Sequence, residues 1–187
     1  VHSNGLAEVT NANIATALGA YSDADIIYSV SGGNLTASVT WQHGLVIPAG
    51  ESYAPSGNIN VDNVFLLGTM KGGSGTLYLN RNWSAATGTF IEETSTLRFQ
   101  ALNVSGTWTP GPSGYNNIVY ASNRSLNVSG TAVVNGTLSL NGISSGGCWC
   151  TGIYGGTLNL HGDVNGSGLS DYGQTATFNF AGTGDQS

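Results

Sequence analysis

Ten carboxylates, three histidines, two cysteines and four cations are all that this 187-residue chain offers for ionic or nucleophilic chemistry. The acids do not converge. Asp23 and Asp25 share one turn-like stretch, Glu92 and Glu93 are neighbours in another, and Asp62, Asp163, Asp171 and Asp185 are spread among segments of strand character. Acids so placed are expected to be solvated turn residues, and Lys71 is the only lysine. His161 precedes Gly162-Asp163, a dyad-like spacing, yet a lone histidine in a turn is expected to be structural; His2 and His43 have no acidic or metal-binding companion nearby. In Cys148-Trp149-Cys150 an extended strand would point both sulfurs the same way, and a bridge between them would be strained. Buried or separately paired structural cysteines, a bond to another chain, and a metal site remain open for Cys148 and Cys150. The metal site has the least support, because no second Cys or His cluster accompanies them. The calcium-binding nonapeptide, GxSxG, a phosphate-cradling Walker loop and HExxH are all absent from the sequence. The expectation is no catalytic residue, no metal and no cofactor.

What would position these residues is a repeat. Eight segments superpose at an offset near 20 residues: GNLTASV from Gly33, GNINVDN from Gly57, GTLYLNR from Gly75, STLRFQA from Ser95, NNIVYAS from Asn116, GTLSLNG from Gly136, GTLNLHG from Gly156 and ATFNFAG from Ala176. Apolar and polar residues alternate in each, the period-2 pattern of a half-buried strand, so one strand recurs per coil of a solenoid. The alternation predicts an inward column of Leu35, Ile59, Leu77, Leu97, Ile118, Leu138, Leu158 and Phe178. A second inward column follows two residues later, from Ala37 to Phe180. The outward column between them reads Thr36, Asn60, Tyr78, Arg98, Val119, Ser139, Asn159 and Asn179.

On that outward column Tyr78 and Arg98 fall on adjacent rungs, where a cation–π pair or a ligand contact is expected; these two are the candidate binding residues. Trp41, Phe65 and Trp83 recur at one offset and are expected to stack as a core ladder rather than as sugar platforms. At the turn after the repeated strand stand Asp62, Asn80, Gln100, Asn141 and His161. Gly142, Gly162 and Gly182 close the last three turns; Asn-Gly at such a corner fits a left-handed backbone position, and amides stacked rung over rung can satisfy one another. The hexapeptide LNVSGT occurs at 102–107 and again at 126–131, and residues 45–47 and 64–67 read as strands of a second face. Residues 10–20 are the one plausible helix, able to cover the first rung.

Gly, Ser, Thr and Asn together make 88 residues, only 7% are charged, and 40% are hydrophobic. This describes an ordered, turn-rich β protein rather than a disordered one. A net charge of −6 with four cations gives no electrostatic footprint for nucleic acid. No apolar run is long enough to cross a bilayer as a helix, so no membrane insertion is expected. The near-absence of lysine and the lack of an initial methionine point to a trimmed, secreted or cell-surface product. Sequons at Asn34, Asn82, Asn103, Asn123, Asn127, Asn135 and Asn165 matter only in a source that glycosylates.

Ser22-Asp23-Ala24-Asp25 before a strand, then Gly44-Leu45-Val46-Ile47-Pro48-Ala49-Gly50 ahead of the coils, resembles the first coils of right-handed parallel β-helices of the pectin-lyase-like superfamily. GTLYLNRNWSAATGTF and ATFNFAGTGDQ are similar to repeats of bacterial surface and adhesin-like proteins. The 20-residue alternation together with this resemblance predicts a single all-β domain over 1–187, a right-handed parallel β-helix of eight to nine rungs, with an N-terminal cap over 1–25 and coils over 26–187. The resemblance also implies that cleavage of polysaccharide would need carboxylates clustered on one face with calcium and a Lys or Arg base, or an acid pair flanking the glycosidic bond. The acids here are not so arranged. The expected function is a non-enzymatic, extracellular structural or adhesive solenoid, self-associating or continued at its C-terminal rung. A glycan is the expected ligand class if it binds one. The alternatives are a carbohydrate-binding or polysaccharide-degrading β-helix, an ice-binding solenoid and a phage or viral fibre module.

Overall fold

The computed structural model describes residues 6–9, 27–30, 44–55, 57–100, 105–122, 124–141, 152–166 and 175–182. They form an all-β parallel solenoid of about six turns. Each coil runs through three faces. The first carries the repeated strand: residues 59–61, 76–79, Thr96–Gln100, Asn117–Ala121, Leu138–Leu140 and Val164–Gly166 pair in parallel, rung on rung. The second continues round a corner. Ile59–Leu66 and Thr76–Ser84 run through it, with a register shift between Val61 and Asn63, onto Gly44–Ile47, Gly106–Thr109, Ser125–Val128 and Gly152–Tyr154. The third face holds Ser52–Tyr53, Thr69–Lys71 and Thr89–Ile91, then Gly114–Tyr115, Thr131–Val134, Thr157–Leu160 and Thr177–Phe180.

The alternation read from sequence sets which side chains enter the core. Ile59, Leu77, Leu97, Ile118 and Leu138 are buried and stack one above another, and Val61, Leu79, Phe99, Tyr120 and Leu140 form the second buried column. Parallel strands whose inner sides meet no water need such continuous apolar columns. Each buried Leu or Ile contributes about 1.5–3 kcal/mol through removal of its surface from water.

The single column of eight is corrected to two. Leu138 is followed on its ladder by Val164, whereas on the third face Leu158 pairs with Ala132 on one side and Phe178 on the other. The G-T-L-x-L pattern suits any strand with one buried side, so it recurs after a change of face. That is why about six turns replace the eight to nine rungs counted from the segments. The aromatic column is corrected likewise: Phe65 lies opposite Ser84, while Trp83 lies between Val64 and Trp108. At the N-terminal side Leu6–Val9 pairs antiparallel with Ile27–Val30, which in turn runs parallel to Gly44–Ile47. The expected helix over 10–20, the Gly33 segment and Trp41 lie outside the described residues.

Corner glycines serve close approach as well as backbone conformation. Gly162 does not have a positive φ; a Cβ there would lie 2.2 Å from the Gly136 carbonyl oxygen of the coil below. Left-handed glycines occur elsewhere, among them Gly50 at φ 82° and Gly111 at φ 70°.

Candidate functional site

Among the described residues the interior is filled by side chains. Thirty hydrophobic side chains are buried among the described residues, and Trp83 and Trp108 are both 0% exposed, which removes them as stacking platforms. A crevice beside Arg81, Phe99, Gln100, Tyr120 and Ser122 opens to solvent and offers only about 10 Å³, far below the roughly 300 Å³ of a small-molecule site. On the outer surface of the first face stand the side chains that alternate with the buried columns.

Tyr78 and Arg98 are register partners on neighbouring strands, both half-buried, as an i to i+20 spacing on an outward column requires. The Arg98 guanidinium carbon stands 6.0 Å from the centre of the Tyr78 ring, within cation–π range. The Arg98 Nε is enclosed and makes no hydrogen bond, so its polar reach is at the outer Nη groups. Beside the pair runs a row of amides. Gln100 Nε2 donates to Asn80 Oδ1 at 3.0 Å, and Asn80 Nδ2 donates to Asp62 Oδ1 at 2.9 Å and to Asn60 Oδ1 at 3.4 Å. The stacked corner amides expected from sequence are thus present for these three rungs. Asn82 is similarly occupied: its Nδ2 donates to Asn63 Oδ1 at 2.7 Å and its Oδ1 accepts from the Thr107 backbone N–H at 2.9 Å. An arginine on an aromatic face, edged by amides and the Asp62 carboxylate, can engage hydroxyl or carbonyl oxygens.

The acids remain apart. Glu92 Oε1 accepts from Asn135 Nδ2 at 2.7 Å, and Glu93, at φ 48°, accepts from the Gly73 backbone N–H at 2.7 Å. The first ties two coils and the second fastens the corner below. His161 and Asp163 are both exposed at one corner. Among the described residues no group of three or more His, Cys, Asp or Glu side chains could hold a metal, and no helix is long and apolar enough to cross a membrane. Cys148, Cys150, Asp23, Asp25, Asp171, Asp185, His2 and His43 lie outside the described residues.

Sequence reasoning missed the buried aromatic cluster. Trp83, Phe90, Trp108 and Tyr115 pack with ring centres 5.1–6.1 Å apart, mostly edge to face. Burial drives the Tyr115 hydroxyl well above the usual phenol range, against the opposing pull of the Trp108 and Trp83 indoles. Only the Trp83 N–H makes a well-formed bond to it; Trp108 Nε1 is enclosed without one. Long sequence separation hid the cluster, since its members come from the second and third faces of different coils.

Compared with protein-family models, curated proteins and solved structures, the chain has no match.

Proposed function

We propose that the chain is a non-enzymatic, extracellular structural or adhesive solenoid module, secreted or held at a cell surface, that works through its outer faces and assembles through its C-terminal coil. In this reading it belongs with the right-handed β-helices of the pectin-lyase-like superfamily as used in bacterial surface proteins. The observation that carries it is the division between a side-chain-filled interior and an outer face where Arg98, over the Tyr78 ring, stands beside a hydrogen-bonded row of the Asn60, Asn80 and Gln100 amides and the Asp62 carboxylate. A rod with a dry core resists opening, and its outward columns repeat a chosen chemistry at strand spacing, about 4.8 Å per rung. Glycans suit such a surface, because an aromatic face takes the apolar side of a sugar ring and amides take its hydroxyls.

The test is retention on glycan-bearing surfaces, comparing the unaltered chain with Arg98→Ala and Tyr78→Ala. Loss of retention in both variants with unchanged circular dichroism supports the adhesive surface. Release of new reducing ends from acidic polysaccharide in the presence of calcium would replace this reading with an enzymatic one.

A further inference from the structure

The last described coil leaves one strand edge without a neighbour among the described residues. Thr177–Phe180 is the last strand of the third face, with Thr157–Leu160 on one side and no strand on the other among the described residues. Phe180 is 64% exposed, although its column partners Leu160 and Val134 are 1% and 0% exposed. Phe178, next to buried Leu158, is only partly covered.

The backbone shows which groups this edge offers. The Thr177 N–H donates to the Gly156 carbonyl at 3.0 Å, and the Ala181 N–H to the Leu160 carbonyl at 2.8 Å. In an extended strand the N–H and C=O of one residue point to the same side, and successive residues alternate. The N–H and C=O of Phe178 and of Phe180 therefore point away from the solenoid, towards the open edge. The Asn179 amide donates inward, from Nδ2 to Asn159 Oδ1 at 3.0 Å, which leaves its Oδ1 and one N–H uncommitted.

We infer that this edge pairs with the same edge of a second copy, antiparallel about a two-fold axis through Asn179. The inference deepens the assembling-module reading and names its partner. In this register Phe178 of each copy faces Phe180 of the other as a hydrogen-bonded pair, and every outward backbone group of the two phenylalanines gains a partner. Asn179 meets its own copy at the non-hydrogen-bonded position, where side chains come closest and amide can face amide. Both phenylalanines of each copy stay on the interior face, so the two cores become one. Shifting the register by one residue would set phenylalanine against asparagine and turn the wrong backbone groups together. The strand has no charged side chain, so nothing in it repels its copy. A C2 interface needs this kind of self-complementarity. The pairing is tail to tail because the two-fold axis joins the same edge of each copy.

One strand pair covers less than the roughly 1,200 Å² of stable complexes, so the dimer forms reversibly in the micromolar to millimolar range. Sedimentation equilibrium on the full chain should show mass rising from one to two copies across that range and no further. Phe180→Lys, at an exposed position, should hold the chain at one copy with an unchanged circular dichroism spectrum. Asn179→Cys provides the second reading: with Cα atoms about 4.5 Å apart across the axis, mild oxidation should link residue 179 to residue 179 in the peptide map. A monomer at every concentration, open-ended growth, a dimer that survives Phe180→Lys, or the absence of a 179–179 link would each overturn the inference. None of these outcomes bears on surface retention through Arg98 and Tyr78, which is read separately.

Discussion

The Trp83 indole N–H donates to the Tyr115 hydroxyl at 2.8 Å, and that hydroxyl donates onward to the Pro110 carbonyl at 2.6 Å. Both rings are 0% exposed and come from different faces of the solenoid, 32 residues apart. One phenol thus satisfies a donor and an acceptor that have no access to water, and joins the second face to the third across the core.

Tyr115→Phe keeps the packing but strips that link, leaving the Trp83 N–H and the Pro110 carbonyl without this partner. The cost of buried polar groups left unpaired sets the expected loss at about 1–3 kcal/mol. Urea unfolding checks it through the midpoint at constant slope. An unchanged midpoint would mean that water reaches one of the two groups.

The inward and outward assignment gives a second contrast. Leu158 and Leu140 are 0% and 5% exposed, and truncating either to Ala should cost about 2–5 kcal/mol, because stacked rungs collapse poorly around a cavity. Asn159→Ala lies on the outward side of the same strand as Leu158. It removes one exposed amide bond, to Asn179, and should cost far less. Equal midpoint shifts for Leu158→Ala and Asn159→Ala would contradict the burial.

Period-2 alternation carried the strands, their buried sides and the Tyr78–Arg98 neighbourhood, because each depends only on residues within one strand and a constant coil length. It could not carry the change of face. Leu158 and Phe178 obey the same pattern as Leu138, and only the longer path from Leu140 to Val164 moves them to another ladder. The LNVSGT pair shows the same limit. Gly106, fifth in the first copy, pairs with Leu126, first in the second, so identical sequence does not mean equivalent position. The cluster around Tyr115 had no local signal, since its hydrogen bond spans more than one coil.

Glycines separate two kinds of strain. Gly50 has φ 82° and nothing within 4 Å of the place a Cβ would take, so Gly50→Ala meets only the left-handed backbone cost of roughly 1–2 kcal/mol. Gly162 has an ordinary φ, but its Cβ would lie 2.2 Å from the Gly136 carbonyl oxygen, and coil must move from coil. Gly162→Ala should therefore destabilise more than Gly50→Ala. Thermal unfolding of the two variants side by side decides this, and the reverse order would show that the coils separate easily at that corner.

Alkaline pH should unfold the chain through its buried tyrosines. Burial raises the Tyr53 and Tyr115 hydroxyls well above the usual phenol range. Tyr120 is also raised, by burial first, with the Gly152 backbone bond opposing and Tyr154 adding to the rise. A phenol raised on folding stays neutral in the native state while its unfolded counterpart ionises near pH 10. The stability tied to the neutral phenol is therefore fully present below about pH 10 and falls above it, by about 1.4 kcal/mol per pH unit for each such tyrosine. Three tyrosines losing it together make the decline steep. Tyrosinate absorbance and circular dichroism followed through the same titration should rise and collapse in one step above pH 10, and Tyr115→Phe should make that step shallower. Smooth ionisation of every tyrosine near pH 10 with the β signal intact would show that these hydroxyls reach solvent without unfolding.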